Sequence, residues 1–116
     1  MVLSGRMKAG SVGAVPIDQI QFTGLIGNQR WEEISVNQFM NKLKENGWDE
    51  VPNSHIFQRL KERGPRMGVL TPNDFARALR DGQTLPARDG AQKRVCRGGD
   101  IEIIFREDRM ITLRDP

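Results

Sequence analysis

His55 is the only histidine of the chain and Cys96 the only cysteine, so any chemistry must be built around very few proton carriers or nucleophiles. Four residues after His55 comes Arg59, and about two turns on come Glu62 and Arg63. On a helix this spacing lines up one imidazole and two guanidiniums along one side, while Ile56, Phe57 and Leu60 face elsewhere. The first turn of such a helix favours an anion such as phosphate, because its N–H groups are free and the dipole points the right way. The same spacing also describes a solvated helix face. Cleaving RNA without a metal requires the 2′-hydroxyl to attack its own phosphate in line. One group then removes a proton, another protonates the leaving 5′-oxygen, and cations stabilise the charge on the phosphoryl oxygens. A lone histidine fills one proton-transfer role. Lys93, Glu62, Glu102 or a substrate group would fill the other, with Arg59 and Arg94 as charge stabilisers.

Several other chemistries are excluded. One cysteine allows neither an intrachain disulfide framework nor a Cys-based zinc site, and Asp and Glu do not cluster with metal-ligand spacing, so neither metal nor cofactor is expected. There is no Gly-x-Ser-x-Gly and no Walker or dinucleotide loop. Arg97-Gly98-Gly99-Asp100 reads as a hairpin turn, and Cys96 as a small strand residue rather than a nucleophile. No apolar run is long enough to span a membrane, and Met1-Val2-Leu3 is followed at once by Ser-Gly-Arg, which offers no signal-peptide core.

The charge is unevenly placed. The net of +3 conceals a first half, residues 1–54, with five basic and six acidic residues and a second half with thirteen basic and nine acidic. Arg59, Lys61, Arg63 and Arg66 form one cluster, and Arg88, Lys93, Arg94 and Arg97 another. Clusters of this kind suit a polyanion such as RNA or DNA.

The elements that must position these residues are legible in part. Residues 1–14 are punctuated by glycine and serine and read as a flexible leader, as if a segment had been cut from a longer protein; residues 15–116 read as a single domain. Over 15–34 two short apolar stretches, broken by Gly24 and Gly27, fit short strands or an extended wrap equally well. Ser35 with Gln38 makes a capping box for a helix over 36–46, with Val36, Phe39, Met40 and Leu43 as its apolar stripe and Gly47 as its stop. A loop from Trp48 to Asn53 leads to Ser54, a cap for a helix over 55–63 that Gly64-Pro65 ends. Thr71-Pro72-Asn73-Asp74 announces a third helix, with Phe75, Ala78 and Leu79 buried and Gly82 closing it.

From about residue 83 the period becomes two. Gln92–Arg97 and Ile101–Arg106 flank a two-glycine hairpin, and Arg109–Arg114 follows Glu107-Asp108. Alternation sets Ile101, Ile103 and Phe105 against Glu102, Ile104 and Arg106, and sets Ile111 and Leu113 against Met110, Thr112 and Arg114. It also separates Lys93 and Arg97 from Arg94; the same charges would serve to discourage edge pairing. Helices followed by an antiparallel meander predict an α+β fold, with the helices on one side of a curved sheet.

Residues 54–114 taken together resemble a known family. The run Ser54-His55-Ile56-Phe57-Gln58-Arg59-Leu60-Lys61-Glu62-Arg63-Gly64 is followed by Asp74-Phe75-Ala76-Arg77-Ala78-Leu79-Arg80-Asp81-Gly82. A Gly-Gly hairpin, Asp100-Ile101-Glu102-Ile103-Ile104-Phe105 and a closing Arg109-Met110-Ile111-Thr112-Leu113 complete it. This order is similar to the barnase/EndoU/colicin/RelE-like (BECR-like) RNase domains at the C-termini of bacterial polymorphic toxins, including contact-dependent growth inhibition and Rhs-type proteins. The resemblance covers about half the chain. It implies a metal-independent ribonuclease aimed at transfer RNA, carried by a larger delivery protein, released or displayed at a cell surface to act in a target-cell cytoplasm, and blocked by an acidic cognate immunity protein. On the matching positions it makes His55 the acid–base group and Arg59 a phosphate contact or an orienter, and has Thr112 donate a hydrogen bond in the cleft. Lys93 as a catalytic cation, and Arg63, Arg94, Arg97, Arg106 and Arg114 as RNA contacts, rest on chemistry alone. The chain departs from several relatives in having no tyrosine for stacking or proton transfer. A non-catalytic RNA-binding or protein-interaction domain using the same basic surface is the rival expectation, and a toxin with nucleotidyl- or ADP-ribosyl-transfer chemistry a third.

Overall fold

Local sequence signals account for three helices. A computed structural model describes residues 13–114 apart from Asn53 and Asp100; most of the expected leader, residues 1–12, lies outside the described residues. Helix α1 (Val36–Glu45) begins as expected: the Ser35 hydroxyl accepts from Gln38 N–H at 3.1 Å, and the Gln38 side chain accepts from Ser35 N–H at 2.8 Å. Phe39 and Leu43 are fully buried, but Val36, expected on the same stripe, is exposed at the first turn. Gly47 ends the helix at a φ of +81°, a conformation open to glycine, and a Cβ there would meet Ala14. Helix α3 (Pro72–Arg80) starts at Thr71, whose hydroxyl accepts from Asp74 N–H, and buries Phe75, Ala78 and Leu79. Burial pushes the Asp74 carboxyl up. The Leu70 N–H, Arg77 and Thr71 together outweigh that and hold it below its ordinary value.

Helix α2 (Ile56–Arg63) begins differently from the sequence reading. Ser54 is buried and its hydroxyl donates to the Glu50 carboxylate, so it does not cap the helix. The N-cap is His55 itself, left-handed at φ 58° and ψ 28°, with no side-chain capping bond. Gly64 leads directly into a 3-10 turn, Gly64–Met67.

Residues 15–34, undecided from sequence, are three 3-10 turns (Ile17–Gln19, Leu25–Asn28 and Trp31–Glu33) joined by extended links. They bury Ile17, Ile20, Phe22, Ile26, Trp31 and Ile34 against the helices. This irregular backbone is fastened by side chains. The Asn46 amide accepts from Gln21 N–H and donates to Gln21 O, and Trp48 Nε1 donates to Val15 O at 2.7 Å. Phe22, Trp31, Phe39, Phe57 and Phe75 meet at the centre, with ring centroids 5.4–6.4 Å apart.

The strands are β1 (Asp49–Glu50), β2 (Gln83–Pro86), β3 (Gln92–Val95), β4 (Glu102–Arg106) and β5 (Arg109–Arg114), in the order β1-β5-β4-β3-β2. All pairings are antiparallel except β1 with β5, so the fold is mixed α+β with a five-stranded mixed sheet. Strand β1 lies where the sequence reading had a loop. Strand β4 alternates as expected, with Ile101 and then Ile103 and Phe105 in the main core. Strand β5 does not. Ile104 pairs with Thr112 and Phe105 with Met110, which leaves Ile111 as the extra residue of a bulge. Met110 and Leu113 therefore both reach the core, fully buried, where strict alternation had opposed them, and Ile111 is only half-buried. Beyond the bulge Thr112 and Arg114 still face away from the helices.

Candidate nucleic-acid interface

The strand register lays out the sheet face opposite the helices in two rows. Leu85, Lys93, Ile104 and Thr112 form one row across β2, β3, β4 and β5, and Gln83, Val95, Glu102 and Arg114 form the next. Neighbours in a row stand about 5 Å apart and the rows about 7 Å apart. Arg106, two residues beyond Ile104, belongs to the same face. Ile104 is buried here yet stands apart from the main hydrophobic core.

Helix α2 adds Arg59. Its Nη1 donates to Thr112 Oγ1 at 2.6 Å and to Leu113 O at 2.7 Å, beyond the two residues of β5 that β1 covers. A guanidinium has five N–H groups; those on Nε and Nη2 have no partner among the described residues. Arg59 is thus held in a fixed plane with one edge spare. His55 sits one helical turn before it, exposed, and the backbone N–H of Arg59 donates to His55 O. A left-handed histidine is uncommon and carries a small conformational cost.

Glu102 is the residue that the sequence reading underrated. Only 4% exposed, its carboxylate accepts from Arg114 Nε at 2.8 Å in the middle of the open face. A buried carboxylate with one cationic partner is costly to desolvate and must be held by that pairing. The available signal was its place in β4, a charge between two isoleucines. Glu62, the other acid considered, accepts instead from Gln58 on the exposed side of α2.

The remaining predicted residues separate into three places. Lys93 and Arg114 lie on the open face, and Arg106 is exposed at its end, where it donates to the Asp89 carbonyl of the β2–β3 loop. Arg63 is half-buried at the last residue of α2. Arg94 does not meet the expectation of an RNA contact. It is buried on the helix side of the sheet, with Nε on Leu79 O at 2.8 Å, Nη2 on Arg80 O at 3.2 Å and Nη1 on Thr84 Oγ1 at 3.0 Å. Its charge meets the carbonyl end of α3, where Leu79 O also accepts from Gly82 N–H and Arg80 O has no other donor among the described residues. Arg97 does not join Lys93 either, because its N–H donates to Ala78 O and its side chain pairs with Asp81 at 3.7 Å, beside α3.

The open face therefore carries Arg59, Lys93, Arg106 and Arg114 against Glu102, as much net positive charge as the whole chain. A separate cleft of about 580 Å³ lies between residues 18–24 and the Asn73, Arg77 and Arg80 side of α3, and contains none of the predicted site residues. Burial pushes the Cys96 thiol up to about 12 despite nearby Arg94, which leaves no thiolate nucleophile. Among the described residues no group of three or more His, Cys, Asp or Glu could hold a metal ion, and no helix is long and apolar enough to cross a membrane. Compared with known protein families, curated proteins and solved structures, the chain matches none.

Proposed function

We propose that this chain is a metal-independent endoribonuclease toxin domain of the BECR-like kind, acting on transfer RNA through the open face of a curved sheet. The observation that carries the reading is Arg59 pinned to Thr112, in one row with Lys93 and one helical turn from His55. A phosphate on this face meets the free edge of Arg59 and the ammonium of Lys93, the two kinds of cation that stabilise a pentacoordinate phosphoryl group. The 2′-hydroxyl attacks phosphorus, the O2′–P bond forms and the P–O5′ bond breaks. One proton leaves O2′ for a base and one reaches O5′ from an acid. His55 fills one of these roles, and Glu102 or Lys93 the other. Thr112 positions Arg59 by accepting from it; its own hydroxyl proton goes to Leu113 O over a long 3.4 Å and would have to turn from there to reach a phosphate oxygen.

The biological setting follows the same proposal. A ribonuclease with these residues is carried into a target cell by a larger delivery protein and held off in its own cell by an acidic immunity protein. Complementary charge on Arg59, Lys93 and Arg114 would speed that encounter. The test is incubation of the purified chain with total cellular RNA in excess chelator. Discrete tRNA-sized fragments are expected from the parental protein, and His55→Ala should lose about 10²-fold or more in rate. Intact RNA with a gel shift would make this a binding domain, and a His55→Ala protein that cleaves at the parental rate would end the assignment of His55.

A further inference from the structure

A surface that binds RNA can read it by stacking unpaired bases on exposed rings or by following the backbone of a helix. The two demand different side chains. Apart from the exposed imidazole of His55, which the proton transfer claims, the whole sequence contains seven aromatic residues, five Phe and two Trp with no Tyr. Every one is in the core: Phe22, Trp31, Phe39, Phe57, Phe75, Trp48 and Phe105 are each 7% exposed or less. Phe105, the one aromatic residue of the sheet, points to the helix side, where it packs edge-on against Trp48 at 5.6 Å. The apolar groups on the open face are aliphatic: Leu85, Val95 and Ile104.

What the face does offer is charge at fixed points. Arg59 is tied to Thr112 and Leu113, Arg114 to Glu102 and Arg106 to the Asp89 carbonyl. Such anchored cations suit phosphates held at set positions by a helix better than those of a strand that must first be ordered. Polar groups able to meet 2′-hydroxyls, Thr112 and Gln83, stand among them.

We infer that the RNA accepted by this face is double-helical at the contact, recognised through phosphates and 2′-hydroxyls rather than by base stacking. The inference rests on the ribonuclease reading above and narrows its substrate class. It is tested with the full chain carrying His55→Ala, titrated by fluorescence anisotropy against a labelled, fully paired RNA hairpin. The comparison is an unpaired strand of the same length and composition, over a series of salt concentrations. The hairpin is expected to bind about tenfold more tightly, because only its phosphates are pre-arranged. Its affinity should fall with a log–log salt slope of about −3 to −4, from roughly 0.9 per neutralised phosphate over four cations. Replacing Lys93 and Arg114 together by alanine should flatten that slope by about two. An unpaired strand that binds as tightly as the hairpin, or more tightly, overturns the duplex inference and leaves the ribonuclease reading standing. Failure to bind either RNA at the lowest salt, in a protein with parental circular dichroism, overturns both.

Discussion

Replacing Arg94 by methionine separates a structural arginine from an RNA-binding one. The guanidinium is buried and spends its three nitrogens on Leu79 O, Arg80 O and Thr84 Oγ1. Methionine keeps most of the aliphatic packing but leaves Arg80 O and the Thr84 hydroxyl without their donor, while Leu79 O keeps the Gly82 N–H at 3.2 Å. Each buried polar group left unsatisfied costs about 1–3 kcal/mol. Part of this is recovered because the buried charge no longer has to be desolvated, and because Arg80 lies at the surface, where water can reach its carbonyl. A net loss of about 2 kcal/mol is expected, a sizeable fraction of the roughly 5–15 kcal/mol that holds a domain together. For a chain of 116 residues this lowers Tm by roughly 6–12 °C. Urea unfolding gives the free energy, and RNA titration well below the lowered Tm gives the affinity. The affinity should stay within about twofold of the parental value, because a buried guanidinium contributes little counterion release. A stability loss below about 1 kcal/mol, or a large loss of RNA affinity at unchanged stability, would refute the assignment and return Arg94 to the RNA-facing set.

His55→Gly should relieve the left-handed backbone at φ 58°, leaving the fold unchanged or up to about 1 kcal/mol more stable while cleavage is lost; a clear drop in Tm would contradict the strain argument. Gly82→Ala would bring a Cβ to 2.3 Å from Val95 O, so a loss of about 2 kcal/mol or more in urea unfolding is expected from the forced backbone shift, and a neutral result would mean that the contact is not held. Asp74 titrates below its ordinary value of 3.8 in the folded chain. Its contribution is therefore complete above that value and lost as pH falls through the lowered one. Acid unfolding of Asp74→Asn should accordingly show a shallower loss of stability below about pH 4 than the parental protein, and parallel curves would contradict it.

How much of this could be read beforehand depends on the range of the interactions involved. Helices α1 and α3 were legible because their signals are local: Ser35 and Gln38 satisfy each other within one turn, and Thr71, Pro72 and Asp74 within another. The faces of β4 followed from alternation for the same reason. The bulge at Ile111 did not, because the extra residue is chosen by the partner strand and by what Met110 and Leu113 bury, neither of which is written in the spacing of β5. Residues 15–34 escaped a reading because their polar backbone is satisfied by Asn46 and Trp48, far along the chain. Ser54 looked like a cap until Glu50, brought close by β1, claimed its hydroxyl. At the candidate site the Arg59–Thr112 contact spans 53 residues, so spacing could nominate both but not join them. Arg94 was misjudged because its alternation was read correctly but the helix end waiting for it was not visible.

Attack by the 2′-hydroxyl on its own phosphate at this face would be written in the ends of the cleaved RNA. A purified tRNA would be incubated with the parental chain in excess chelator, and the upstream fragment examined by mass spectrometry beside a copy carrying one 2′-deoxyribose at the mapped site. The expected products are a 2′,3′-cyclic phosphate on the upstream fragment and a free 5′-hydroxyl on the downstream one, with no cleavage at the deoxy position. A 3′-hydroxyl with a 5′-phosphate, or undiminished cleavage of the deoxy copy, would contradict attack by the 2′-hydroxyl.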